Sequence, residues 1–205
     1  MYIPKYSATA DLKLIKQLIN DYGFGTLITS SINGMSANHY PFLLSEEGED
    51  LILWTHLARS NPQWKELNQA ECLAIFNGAH AYISPAYYLN PLNVPTWNYT
   101  AVHAKCISEI IDDHKLELEL MKKLVKFYED KNRTSWNYDL PKDFHDRLLK
   151  AIIWVKLKVV SIDGKFKLSQ NREKDDYDNL IKVLSKNSEN TELVNYMRLT
   201  TPTFN

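Results

Sequence analysis

The sequence predicts a mainly β protein, a closed or split antiparallel barrel with peripheral helices. Three observations lead there. About six strand-like runs follow one another in hairpin order. Helical patterns are inserted between them without a strict alternation. Neither a G-x-G-x-x-G turn nor a βαβ rhythm occurs, which argues against a doubly wound dinucleotide-binding sheet.

Leu12, Ile15, Leu18, Ile19 and Tyr22 recur at helical spacing after Thr9 as N-cap, and Gly23 stands where a helix C-cap belongs, so the first element is an amphipathic helix. The β-rich run from Gly25 to Ser31 leads to Asn33-Gly34, a strong hairpin signal, and Met35 to Leu44 is the returning strand. An acidic turn over Glu46 to Asp50 precedes a third strand, Leu51 to His56. A short helix from Pro62 to about Leu67, a strand at Cys72 to Phe76 and an aromatic segment at Ala81 to Ile83 follow. Three prolines make Ser84 to Pro95 an extended loop. Trp97 to Ile111 is a long strand with Val102, Ala104, Cys106 and Ser108 on one face. Asp112 or Asp113 then caps a helix whose stripe is Leu116, Leu120, Met121, Leu124, Phe127 and Tyr128. Phe144, Leu148 and Leu149 suggest a shorter helix after Pro141. Ile152 to Ile162 is a strand closed by Asp163-Gly164, and a last helix runs to about Leu184. The expected organisation is one domain over residues 1–184 and a polar, peripheral tail over 185–205 with a helical turn or two.

The 205 residues suffice for a core that needs neither metal nor disulfide. Cys72 and Cys106 lie in apolar strand settings without C-x-x-C spacing and read as reduced core thiols. No apolar run approaches a membrane span and the N-terminus is no signal peptide, so the expected location is the cytoplasm. Net charge is −1, with 5 basic and 8 acidic residues up to position 100 and 19 and 17 beyond it. Nonspecific DNA binding needs clustered cations, and here the densest run, Lys165, Lys167, Arg172 and Lys174, is offset by Asp175, Asp176 and Asp178. Charge therefore gives direct DNA contact no support.

Arg59 is the only arginine among the first 132 residues. An apolar strand feeds into Thr55 and His56, then Arg59 and Ser60, then Asn61-Pro62, which reads as a helix start with Asn as N-cap and Pro at the first position. A guanidinium fork, hydroxyls and unpaired N–H groups would suit a phosphate monoester. A surface arginine beside an ordinary capped helix is the competing reading of this segment.

Four blocks occur in order: Ser36-Ala-Asn-His-Tyr-Pro-Phe-Leu-Leu44; Thr55 to Trp64; His80-Ala-Tyr-Ile-Ser-Pro-Ala-Tyr-Tyr88 with Val94-Pro-Thr-Trp-Asn-Tyr99; and Gly164-Lys-Phe-Lys-Leu-Ser-Gln-Asn-Arg172. Together they closely resemble the PaiB family of FMN-binding negative transcriptional regulators, from Met1 to about Leu184. Thr100 interrupts a stretch that is more often apolar in that family. The resemblance implies the FMN-binding split β-barrel of pyridoxamine-phosphate oxidases and flavin reductases, working as a homodimer with the flavin nucleotide at the subunit interface. It implies phosphate contacts from Thr55, His56, Arg59, Ser60 and Asn61. It also implies pyrimidine-edge contacts from Asn38, His39 and Tyr40, a barrel-mouth or stacking role for Trp97 and Asn98, and contacts from Gln170, Asn171 and Arg172 of either subunit. Asn171 or a neighbour can instead simply cap the next helix.

His39 and His56 lack paired metal-ligand spacing, and His80 and His103 read as hydrogen-bonded core or interface histidines. No Ser/His/Asp arrangement, carboxylate pair or nicotinamide fingerprint identifies an enzyme, and no catalytic residue is assigned. The resemblance implies a regulator that lowers expression of degradative-enzyme and sporulation genes, and the alternative is a flavin-dependent oxidoreductase on the same barrel. No helix-turn-helix or basic recognition stripe is present, so operator binding rests on resemblance alone.

Overall fold

The structure is a computed structural model that describes residues 1–32 and 34–203. The Asn33-Gly34 turn thus lies partly outside the described residues; Gly34 opens a strand with φ +109°. Eight strands form one antiparallel sheet: β1 (Ala8–Thr9), β2 (Phe24–Ser31), β3 (Gly34–Pro41), β4 (Leu43–Glu47), β5 (Asp50–Ala58), β6 (Glu71–Ile83), β7 (Thr96–Ile111) and β8 (Ile152–Lys167). The order is β3-β2-β6-β7-β8-β5-β4, with β1 paired to β8. The helices are α1 (Leu12–Asp21), α2 (His114–Asn132), α3 (Lys142–Lys150), α4 (Lys174–Leu184) and α5 (Thr191–Leu199).

The two edges of this order are consecutive in the chain. β3 ends at Pro41, paired with Phe24, and β4 begins at Leu43, paired with Trp54, so only Phe42 separates one edge from the other. A sheet whose edges meet at one residue must curl. Phe42 itself is buried, and its ring meets Phe76 edge-on at 5.2 Å. The single returning strand expected over Met35 to Leu44 is therefore two strands, and the two segments expected at 72–76 and 81–83 are one continuous strand.

The chain divides into two compact units. One comprises Tyr22–Phe76 and His103–Ile162. Its sheet alternates as a barrel wall should: Leu27, Thr29, Leu53, Thr55 and Leu57 face inward, while Ile52, Trp54 and Trp154 pack with Leu120 and Leu124 of α2. Asp113 caps α2, its Oδ1 accepting from the Lys115 and Leu116 amides. Cys72 and Cys106 stand here as free buried thiols, and the Cys106 thiol is pushed up by its hydrogen bond with Cys72 and by burial.

The other unit comprises Met1–Asp21, Asn77–Val102 and Asp163–Asn205. Ile15, Leu18 and Ile19 of α1, Tyr177, Leu180 and Leu184 of α4, and Phe166 are buried in it. The segment expected to be a peripheral tail contributes α5, which buries Leu193, Val194, Tyr196 and Met197. Two tyrosines fix it: Tyr177 donates to the Met197 carbonyl at 2.7 Å, and Tyr196 to Asp21 at 2.8 Å.

Candidate functional site

β5 leads into a five-residue 3-10 helix, Pro62–Glu66, and Gln63 within it is almost fully buried. Its Oε1 accepts from Tyr40 Oη at 2.7 Å and Asn38 Nδ2 at 3.0 Å. Its Nε2 faces the Leu27 carbonyl at 3.2 Å, Thr29 Oγ1 at 3.2 Å and the Ser36 carbonyl at 3.3 Å. Because acceptors surround one end and donors the other, the amide has one satisfactory orientation. Tyr40 Oη in turn accepts from Asn61 Nδ2 at 2.8 Å, and Glu66 accepts from Thr29 and Ser31. Burial pushes the Tyr40 phenol up to about 12, against the downward pull of the Asn61 amide. Three of the expected site residues, Asn38, Tyr40 and Asn61, are thus brought together through Gln63, a residue that spacing did not single out.

Arg59 occupies the next corner. Its Nε donates to the Lys150 carbonyl at 2.8 Å and its Nη2 to the Ile152 carbonyl at 3.1 Å, while its backbone N–H reaches the Ala151 carbonyl at 2.8 Å. The side chain is therefore anchored between the last carbonyl of α3 and the first of β8. Two of five guanidinium N–H bonds are used, which leaves three for a ligand. Arg59 and Ser60 are both exposed. Glu117 of α2 feels the Arg59 charge, but no ion pair joins them among the described residues.

The helix start contributes less than its sequence signature suggests. Asn61 is the N-cap and Pro62 follows it, but Asn61 Oδ1 already accepts from the Gln63 amide at 3.0 Å and Pro62 has no N–H. Thr55 and His56, neighbours on a strand, point to opposite faces. Thr55 is buried and donates to the Pro41 carbonyl at 2.8 Å. His56 packs on Trp154 at 5.0 Å; burial lowers its pKa, and its buried Nδ1 has no hydrogen-bond partner. His39 is exposed on the outer face and stacks on Phe24 at 6.2 Å.

In the other unit, Asn98 is buried, with Oδ1 accepting from Ser169 at 3.0 Å and Nδ2 without a partner. The Trp97 ring is 53% exposed and meets Tyr82 edge-on at 5.9 Å. Gln170 is folded onto its own turn, accepting from the Leu168 amide at 2.7 Å and donating to the Phe166 carbonyl. Asn171 is exposed, and Arg172 donates to Asn93 Oδ1 with its guanidinium 4.7 Å over the Tyr88 ring. Among the described residues no group of three or more His, Cys, Asp or Glu could hold a metal ion, and no helix is long and apolar enough to cross a membrane.

Residues 1–161 match the family described as a "putative FMN-binding domain". The chain belongs to this FMN-binding family. It is 36% identical over 192 residues to the protease synthase and sporulation protein PAI 2 of Bacillus subtilis, covering 93% of this chain and 91% of that one, which places it with the PaiB proteins. The flavocytochrome Anf3 from Azotobacter vinelandii superposes with a TM-score of 0.60 at 14% identity, over 80% of this chain and 72% of that chain. The FAD- and haem-binding protein from Mycobacterium smegmatis gives 0.59 at 13%, over 78% and 73%. At such identities the superpositions establish the fold alone. FMN is the cofactor of the family, and an anchored, exposed arginine with donors to spare and no paired carboxylate fits its phosphate.

Proposed function

We infer that this protein is an FMN-binding regulator of the PaiB type in which Arg59 and Ser60 hold the flavin phosphate. The observation that carries the reading is the Arg59 corner. Two backbone carbonyls fix the guanidinium, three N–H bonds stay available, and the site is open to solvent. A pre-oriented fork loses less freedom when it captures a phosphate than a floppy one does. His56 Nδ1, and in the other unit Asn98 Nδ2, are buried polar atoms without a partner among the described residues. When bound, FMN supplies reversible electron and hydride transfer.

The regulatory part of the reading is supported by similarity, over 93% of this chain, to a protein named for protease synthesis and sporulation. Homodimerisation belongs to the same proposal, since Tyr82 and Trp97 expose about half of their surfaces in mutual contact. The test combines a fluorescence titration of the purified chain with FMN and anaerobic mixing of the loaded protein with NADH and NADPH. Saturable binding of one FMN per chain without bleaching of the flavin band supports a regulator. Rapid, repeated bleaching and reoxidation would sink that role in favour of an oxidoreductase.

A further inference from the structure

β8 ends in a run whose alternate residues, Asp163, Lys165 and Lys167, share one face, and Arg172 follows after a turn in which Ser169 takes φ +65°. The three cations have no ion-pair partner among the described residues. Neutral groups position each of them. Lys165, 8% exposed, donates to the Tyr2 carbonyl at 3.1 Å and lies 5.2 Å from the Tyr99 ring centroid. Lys167 donates to Thr96 Oγ1 at 2.6 Å and the Trp97 carbonyl at 2.5 Å. Arg172 is held by Asn93 and the Tyr88 ring. The carboxylate on the same strand face, Asp163, is paired with the Met1 ammonium at 2.9 Å.

Some lysines elsewhere do pair with acids, as Lys156 with Glu47, Lys158 with Asp50 and Lys174 with Asp178. A chain with more acidic than basic residues nonetheless sets Lys165 and Lys167 on one face of β8 with Arg172 five residues on, all three at least partly desolvated. Their proximity registers on Lys167, whose pKa is lowered first by burial and then by the charges of Lys165 and Arg172. Like charges held together out of water are costly, and a bound anion removes that cost.

We propose that Lys167 and Arg172, with Lys165 adding charge from behind, form a phosphoryl-binding site for a small molecule, separate from the flavin phosphate assigned to Arg59. An arginine fork beside a lysine point charge suits a tetrahedral dianion. A small ligand fits better than a nucleic-acid backbone, because these few cations fall short of the many phosphate contacts that duplex binding needs.

The experiment titrates inorganic phosphate calorimetrically into the full, FMN-loaded chain in a phosphate-free buffer of low ionic strength. The parent binds one phosphate per chain. Lys167→Gln and Arg172→Gln each weaken that binding about tenfold or more, the loss expected for one charge-assisted contact. Lys167→Arg, which keeps the charge, retains binding, as does Lys182→Gln at an exposed position of α4. Absence of saturable binding to the loaded parent overturns the proposal, as does undiminished binding by both glutamine variants. Loss of FMN rather than phosphate in those variants overturns it too, by assigning the cations to the flavin. The FMN affinity of Arg59→Ala reports on the flavin assignment separately, so the two readings fail independently. Retention of duplex DNA that depends on Lys167 without any phosphate binding would also refute the small-molecule site.

Discussion

Gln63 shows how much can rest on one buried amide. It satisfies Asn38, Tyr40 and Thr29 at once, so Gln63→Leu should leave several buried polar atoms without partners. At about 1–3 kcal/mol for each orphaned group, a loss of about 3 kcal/mol is expected. It should be read as a lower denaturant midpoint at unchanged slope, and a loss below about 1 kcal/mol would contradict the network. Tyr40 and Tyr177 make a prediction about alkali. Burial raises both phenols from 10.0 to about 12, so the unfolded chain releases these protons first. Their contribution is complete below pH 10 and is lost as pH rises through about 12. Unfolding free energy measured across that window should fall, less steeply in Tyr177→Phe. Arg59 was legible in the sequence through its rarity and its Asn-Pro neighbour. Gln63 was not, because its importance arises only where β2, β3 and the 3-10 helix converge.

Among the elements, the strands with clear two-residue alternation were legible, and so were α1 and α2 with their stripes and the Asp113 cap of α2; the caps of the others were not, since Asp11 rather than Thr9 accepts from the Lys13 amide at the start of α1 and Glu173 precedes α4 without a side-chain cap bond. Two kinds of error remained. Pro41-Phe42-Leu43-Leu44 reads as one apolar strand because nothing local marks the change of sheet edge at Phe42, a property of the curled sheet. The strand expected at 72–76 stops before Asn77-Gly78, yet β6 runs through it. α5 was obscured by the polar residues around Leu193, Val194, Tyr196 and Met197, whose spacing places them on one side of a short helix. Close approach of strands also leaves a mark in Gly25. A Cβ there would lie 2.9 Å from the Ile75 carbonyl oxygen and 2.9 Å from the Phe76 ring. Backbone cannot yield as a flexible side chain can, so Gly25→Ala should cost about 1–3 kcal/mol in thermal or denaturant unfolding. A neutral substitution would mean that β2 and β6 are not packed as described.

At the scale of the whole molecule, an antiparallel barrel, closed or split, followed from hairpin order and the missing βαβ rhythm; the split form came from the family resemblance, and family membership agrees with it. The division into two compact units was not legible, because β6, β7 and β8 each carry residues of both and no linker composition marks a boundary. The exposed Trp97 and Tyr82 rings lead to the expectation of twice the chain mass in sedimentation at micromolar concentration, and a clean monomer that still retains FMN would remove the interface from the account. The central claim is that Arg59 recognises the phosphate of FMN, and flavin fluorescence titrations of the parent and Arg59→Ala with FMN and with riboflavin test it most directly. The parent should prefer FMN, and the variant should lose about 1.5–3 kcal/mol for FMN while binding riboflavin as before. Equal affinity of the parent for the two flavins, or an unchanged FMN affinity in Arg59→Ala, would contradict it.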